Sequence, residues 1–516
     1  MLRLVSGILV LACLVALGAP LAGCGDDDPP PSTPTSPLPE VGPGDPGASS
    51  VPPSQDESWI RERDPEVTIV VVGNQRGKLK PCGCSEPQMG GLERLGAFLD
   101  GLRHIRKDAS IGVLSMGWSM ADRGEAQAET KAALYRRAIA LLGFDAHLLG
   151  TTDLSTAAMA QPFESEHALD RPAPPANTKL SERGPLAQAA QTTPIVDLKV
   201  GALDVRALSL LDTAHFGRLG GVADGVFPPD GAMGRLPPRE DALWVVSTDA
   251  TGETIERVRA AMRRLGPSVI IDFERGAGLD VVEDMPLERE PLLVSLSTYG
   301  KDVGVLDLER DGEGQWRLSW HVVSLYPGIG SKKSEARLEI GKLFEFYKSE
   351  VRDREFLRSF PSYREEKHAR YVGSGRCAEC HEEIYDDWTN TAHAYALETL
   401  VKRRYHWDPE CVRCHVVGFE RLNDGRWTRA SSAFVDPERT PYLAGVGCES
   451  CHGPGAAHLE DPTDEGVFGE GGTMRRNPSR RVCETCHDVE NSHAFPEHYE
   501  DRYLPRVDHR RIGTGR

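Results

Sequence analysis

The sequence predicts two folded parts: an α/β two-sheet sandwich flanked by helices, then a mainly α-helical segment whose core is not its own side chains. Three observations predict this. Short apolar strands alternate with amphipathic helices from Glu66 to about Tyr347. The pentapeptide C-x-x-C-H occurs four times between Cys377 and His487. Successive copies begin only 34, 37 and 35 residues apart (377 to 411, 411 to 448, 448 to 483), too little chain for each to enclose a core.

The elements of the first part follow from period and punctuation. Val67–Gly73 and Ile111–Gly117 read as short buried strands, separated by an amphipathic helix from Leu92 to Arg106. A helix over Ala126–Leu142 leads into a strand at Ala146–Gly150. Leu243–Ser247, a helix over Glu253–Leu265 and Ser268–Phe273 repeat the alternation. Turn chemistry predicts hairpins around Gly201 and around Asp311-Gly312-Glu313-Gly314. A long helix from Lys332 to about Leu357 leads out. These limits give a sandwich over 63–345, a helical connector over 346–365 and the motif-bearing segment over 366–516.

The start of the chain suggests export. A basic Met1-Leu2-Arg3 precedes an apolar stretch, Leu4–Leu21, interrupted by Gly18 and Pro20 and ending Leu21-Ala22-Gly23-Cys24. Small residues before a cysteine resemble the bacterial lipobox, which implies cleavage after residue 23 and a lipidated Cys24. A plain signal peptide or a membrane span are the alternatives, but the stretch is short and broken for a span. Residues 24–62 are rich in Pro, Ser, Gly and Asp, and read as a disordered tether. The expectation is a cell-envelope protein, held to a membrane by lipid and facing the periplasm or attached to the outer membrane.

Cysteine usage then identifies the cofactor. Of 12 cysteines, Cys13 falls in the signal peptide and Cys24 at the lipobox. Eight form Cys377/Cys380-His381, Cys411/Cys414-His415, Cys448/Cys451-His452 and Cys483/Cys486-His487. Two thiols about one helical turn apart reach the two vinyl groups of one porphyrin, and the adjacent histidine projects onto its iron. Zinc sites would not need a histidine directly after every second cysteine. Four covalent c-type haems are expected, and the porphyrins themselves are expected to form the core of the second part. Cys82 and Cys84 stay open between a disulfide, free thiols and a metal-binding pair.

Eleven of the 16 histidines lie from residue 366 onward, against one methionine, Met474, so His/His ligation should dominate. His393 sits on an expected helix over Glu382–Leu400. His458 follows His452 across a Gly-Pro-Gly turn, and His493 or His509 is within reach of the last haem. Composition is that of an ordinary soluble protein, 39% hydrophobic and 27% charged. A net charge of −18 excludes a phosphate-tracking nucleic-acid binder and suits docking to basic redox proteins.

The stretches YVGSGRCAECHEEIYDDWTNTAHAYALETL (371–400), GVGCESCHGPGAAHL (445–459) and CETCHDVENSHAF (483–495) resemble the tetrahaem cytochrome c-554 family. That resemblance implies three haems with histidine on both faces and a second haem open on one face. It implies His393 and His458 as distal ligands crossing to other haems. A further histidine near the chain end would serve the fourth haem, with His509 (in Tyr503-Leu-Pro-Arg-Val-Asp-His509) preferred over His493. His406 or His368 would close the second haem if either reached it.

The phrase GNQRGKLKPCGCSEPQMGGLERLGAFL (73–99) and the order of elements resemble the 5′-nucleotidase type of calcineurin-like metallophosphatase. The ligands are missing. Asn74 and Arg76 stand where the resemblance implies Asp and His, Trp118 at the bridging Asp, Thr151 and Thr152 at an Asn-His pair, and Thr248 at a further His. No histidine lies between Ser268 and Asp280, and of the expected set only Asp153 remains. A two-metal hydrolase needs carboxylates and imidazoles to activate water, so no phosphatase metal and no phosphoesterase activity are expected. The function expected is electron relay between redox protein donors and acceptors, with no catalytic residue assigned. The alternative is oxidoreduction of a small nitrogen or sulfur species at an open haem.

Overall fold

The structure, a computed structural model, describes residues 58–81, 88–121, 127–160, 178–180, 194–212, 223–226, 228–274, 281–330, 333–423, 425–488, 491–492 and 494–509. The expected sites at Cys24, Cys82, Cys84 and His493 lie outside these residues. Among the described residues, no helix is long and apolar enough to cross a membrane.

The first part is a two-sheet α/β sandwich, as its alternating pattern predicts. One sheet has six strands in the order Val281–Pro286, Trp316–Ser324, Asp302–Arg310, Val67–Val72, Ser110–Ser115, Ala146–His147. The other has five, in the order Leu292–Ser295, Ser268–Asp272, Ala242–Thr248, Leu203–Leu210, Val196–Val200. Val67–Val72 runs parallel to Ser110–Ser115 and is buried at every position, which is why it is a continuous apolar run rather than an alternating one. Both expected hairpins form, Val196–Val200 with Leu203–Leu210 and Asp302–Arg310 with Trp316–Ser324.

Helices Leu92–Ile105, Ala128–Leu141 and Glu335–Asp353 cover the six-stranded sheet, and all contribute to one hydrophobic core. The last of these buries Ala336, Ile340, Phe344, Tyr347 and Val351 at helical spacing. Ser58–Glu62 is also helical, and Ile60 packs into the same core. Ile60 thus packs into the folded part although it falls within the stretch 24–62 expected to be a tether.

The second part is mainly helical, with short helices and a three-stranded sheet of Ser362–Tyr363, Trp427–Ala430 and Phe419–Arg421. Its buried apolar cluster is small: Leu357, Leu397, Leu400, Val412, Val416, Val417, Phe434 and Leu443. The helix expected over Glu382–Leu400 is two helices, Glu382–Thr389 and Ala396–Arg403. Turn bonds from Asn390 N to Asp387 O (3.1 Å) and Thr391 N to Trp388 O (2.9 Å) end the first one. His393 sits in the break.

Candidate haem sites

Each C-x-x-C-H motif is wound into a helical turn by backbone bonds. His381 N donates to Cys377 O at 2.9 Å, His415 N to Val412 O at 2.8 Å and His487 N to Cys483 O at 2.8 Å. The third motif is itself the helix Cys448–His452. Three of the motif histidines are oriented through Nδ1: His415 against Ala396 O at 2.6 Å, His452 against Arg475 O at 2.7 Å, and His487 against Ser492 Oγ at 3.1 Å. A ring whose Nδ1 bonds to a carbonyl presents Nε2 to a metal. Burial holds His415, His452 and His487 below the ordinary histidine pKa, in the neutral form a ligand needs.

A second histidine faces three of these four. His458 lies against His381 with ring centroids 6.4 Å apart and planes 16° apart. His393 lies 6.1 Å from His487, and His509 lies 5.7 Å from His452. An iron held at about 2 Å by a nitrogen of each ring, with roughly 1 Å more to each ring centre, requires about 6 Å. The residues therefore fit a haem iron in each gap. Nδ1 of His458 is buried without a hydrogen-bond partner, a nitrogen that bonds to nothing in the protein. Burial, then the neighbouring His487, pushes His393 down to about 4.

Among the described residues no histidine ring lies opposite His415 at this spacing. His406 packs on Trp407 at 5.7 Å, and His368 is an exposed partner of Glu366 at 3.4 Å. The chain-end histidine expected at the fourth haem is a correction: His509 faces His452 of the third motif, and the fourth is faced by His393. Position along the chain does not determine which gap a ring enters; the fold returns the end of the chain to the third motif and brings the break at His393 to the fourth.

The thiols stand here for the sulfurs that form thioethers, and their neighbours give the order of the sites. Cys377 lies beside Cys448, Cys451 near Cys483, and Cys486 beside Cys414. The motifs therefore run first, third, fourth, second through space.

The eight attachment cysteines differ in exposure. Cys380 is exposed, whereas Cys377, Cys411, Cys414, Cys448, Cys451, Cys483 and Cys486 are partly buried. The reason is its place in the row. The first motif is an end of the order, with Cys377 turned to the third motif and Cys380 on the outer side. The second motif is the other end, but there the sandwich covers Cys411. Cys380 keeps the helical-turn geometry of the motif, with its N–H donating to Cys377 O at 3.3 Å.

Two features that sequence reasoning missed hold these rings. Glu449, buried inside the third motif, accepts from Val372 N (3.0 Å), Gly373 N (2.8 Å) and Gly455 N (2.8 Å). It ties the first motif to the turn before His458. Gly445 adopts φ +80°, and a Cβ there would sit 2.5 Å from Ala394 O, so the chain closes on the His393 loop only with glycine. Nothing in the pattern around Glu449 marks it out, since it is one of the two variable residues of the motif.

The sandwich meets the second motif directly. Asp408, which caps the helix Pro409–Val412, accepts from Gln127 Nε2 (2.6 Å) and Tyr347 Oη (3.1 Å). Glu410 accepts from Lys78 Nζ at 2.8 Å and is also paired with Lys131. Burial and then the charge of Glu410 push Asp408 up to about 6. Burial opposes ionisation of Glu410, but Lys131 and Lys78 outweigh it and hold the carboxyl well below the usual range.

In the sandwich, the loops around Asn74, Trp118 and Asp153 are packed by their own side chains and backbone bonds. Trp118 is 1% exposed, packs edge-on against Phe273 at 5.1 Å, and leaves no room for a Cβ at Gly150. Asn74 Nδ2 donates to Phe273 O and its Oδ1 accepts from Arg76 Nε, while Arg76 pairs with Glu274. Asp153 accepts from Ser119 N, Met120 N and Gly150 N, each at 2.8–2.9 Å. Its oxygens are committed to the backbone. Asn74, Arg76 and Trp118 all have φ between 45° and 58°, a left-handed geometry that is strained for such side chains.

This arrangement is four C-x-x-C-H turns, three of them faced by a second histidine among the described residues, joined to an α/β sandwich. Residues 376–453 match the family model described as cytochrome c554 and c-prime. Cytochrome c-554 of Nitrosomonas europaea is 34% identical over 145 residues, covering 23% of this chain and 58% of the relative. The chain thus spans less than two thirds of that relative's length. The similarity implies covalently bound c-type haems. Among solved structures, a 5′-nucleotidase precursor from Thermus thermophilus is similar with a TM-score of 0.42 and 15% identity, covering 65% of this chain and 67% of that one. A 5′-nucleotidase from Candida albicans has a TM-score of 0.43 and 12% identity, covering 56% and 59%.

Proposed function

We propose that this protein is an exported, lipid-anchored tetrahaem electron carrier of the bacterial cell envelope. Haems attached at Cys377/Cys380, Cys448/Cys451 and Cys483/Cys486 are ligated by His381 with His458, His452 with His509, and His487 with His393. The haem at Cys411/Cys414 has His415 on one face only. Electrons pass in the order first, third, fourth, second, between redox proteins that dock on an acidic partner, and Cys24 carries the lipid. The observation that supports this reading most strongly is the set of three facing histidine pairs at 5.7–6.4 Å. His/His ligation favours lower potentials than His/Met. The intact mass of protein matured with the cytochrome c assembly system tests it: four haems per chain are expected, and three or fewer would overturn it.

A second reading, oxidoreduction of a small nitrogen or sulfur species at the second haem, is favoured by the absence, among the described residues, of a histidine ring facing His415. Titration of the reduced holoprotein with carbon monoxide should then saturate at one equivalent. No binding would leave a carrier alone.

A further inference from the structure

The contact between the sandwich and the second motif is ionic, buried and aimed at one haem. Glu410 immediately precedes Cys411, the first attachment residue of that motif, and its carboxylate is held by Lys78 and Lys131. Lys131 is 6% exposed and Lys78 is partly buried, so solvent screens neither charge fully. Lys78 Nζ lies 2.8 Å from the carboxylate of Glu410, the residue before Cys411, which places its charge near that attachment point. Neither lysine belongs to the haem segment: Lys78 is in the loop after the strand Val67–Val72, and Lys131 is on the helix Ala128–Leu141. The neighbouring Asp408 is bonded by Gln127 and Tyr347, also from the sandwich or its last helix.

Reduction of a haem removes one unit of positive charge from its iron. A fixed positive charge nearby favours the reduced state and a negative one favours the oxidised state, most strongly where water is excluded. We propose that Lys78 and Lys131 of the sandwich, acting across the buried contact with Glu410, set the reduction potential of the haem on the second motif. The sandwich is then part of that haem's site. This rests on the reading of Cys411 and Cys414 as a haem attachment. It gives the sandwich a role that needs no hydrolytic chemistry: it holds a defined charge pattern against the last haem of the relay and raises that haem's affinity for the electron.

The test is a redox titration of the full-length holoprotein, following each haem by paramagnetic resonance and visible absorption. Lys78→Gln leaves Glu410 paired with Lys131 and should lower one potential of the four. Glu410→Gln removes the negative charge and should raise the same one. Lys78→Arg should restore it. A purely mechanical clamp would move both Gln variants in the same direction, and that result, or no movement of any potential, overturns the proposal. Should Glu410→Gln not fold, Asp408→Asn removes the other buried carboxylate of the same contact and should raise the same potential that Lys78→Gln lowers. Failure of the underlying reading looks different: the mass then shows no haem at Cys411 and Cys414.

Discussion

The two parts of the molecule solve the problem of a core in opposite ways. The sandwich buries strand after strand of its own side chains, Val67–Val72 and Ala242–Thr248 at every position, beneath three covering helices. The segment beyond it, with many short helices and loops, buries one small apolar cluster around Phe434 and Leu443. Its recurring feature is histidine rings held in facing pairs about 6 Å apart. Burying apolar surface stabilises a fold at roughly 25 cal/mol per Å², and a porphyrin supplies that surface where side chains do not. The difference shows that a cofactor can replace a core of side chains.

The largest effect expected separates the parts. Protein made without haem attachment should keep a protease-resistant sandwich and lose resistance throughout 366–516, as mapped by limited proteolysis and mass spectrometry. Equal resistance in both would show that the second part has a sufficient core of its own. Within the sandwich, Trp118→Ala removes a fully buried indole and should cost about 3–5 kcal/mol in denaturant unfolding. Neither the unmodified protein nor this variant should hydrolyse phosphate esters with manganese or zinc added. Metal-dependent turnover would restore the enzyme reading.

Glu449→Ala strands three backbone donors and should cost about 1–3 kcal/mol. It should also loosen His458, so that the first haem gains high-spin character in its visible spectrum. An unchanged spectrum would detach Glu449 from ligand positioning.

The smallest effect at neutral pH concerns His147, which burial, then the charge of Arg136, pushes down to about 3. The unfolded chain takes up a proton there below about pH 6.5 and the folded protein refuses it. Its contribution to stability is therefore full above about 6.5 and lost as pH falls toward 3. His147→Asn should make the acid fall in melting temperature shallower, and an equally steep fall would assign it to other groups.

Much of this was legible in the chain. The C-x-x-C-H turns follow from local spacing, and the hairpins at Gly201 and Asp311–Gly314 follow from turn residues that leave the chain few alternatives. What periodicity does not carry is the break between Glu382–Thr389 and Ala396–Arg403, because every residue from 382 to 400 tolerates a helix. Which histidine faces which motif is also a tertiary fact. His509 and His452 are 57 residues apart, from 452 to 509, and no local rule pairs them. The exposure of Cys380 is of the same kind, since identical spacing gives no sign of which motif stands at the end of the row. The junction at Asp408 and Glu410 was equally silent, since two carboxylates before a cysteine read as ordinary surface until Lys78, Lys131 and Tyr347 are seen to bury them.

The central claim is that three haems are closed by paired histidines and the second is open. The paramagnetic resonance spectrum of the oxidised holoprotein tests it most directly, because it counts low-spin and high-spin irons. Three low-spin signals and one high-spin signal are predicted. Four low-spin signals would contradict the open second site, and two or fewer would contradict the pairing of His381 with His458, His487 with His393 and His452 with His509.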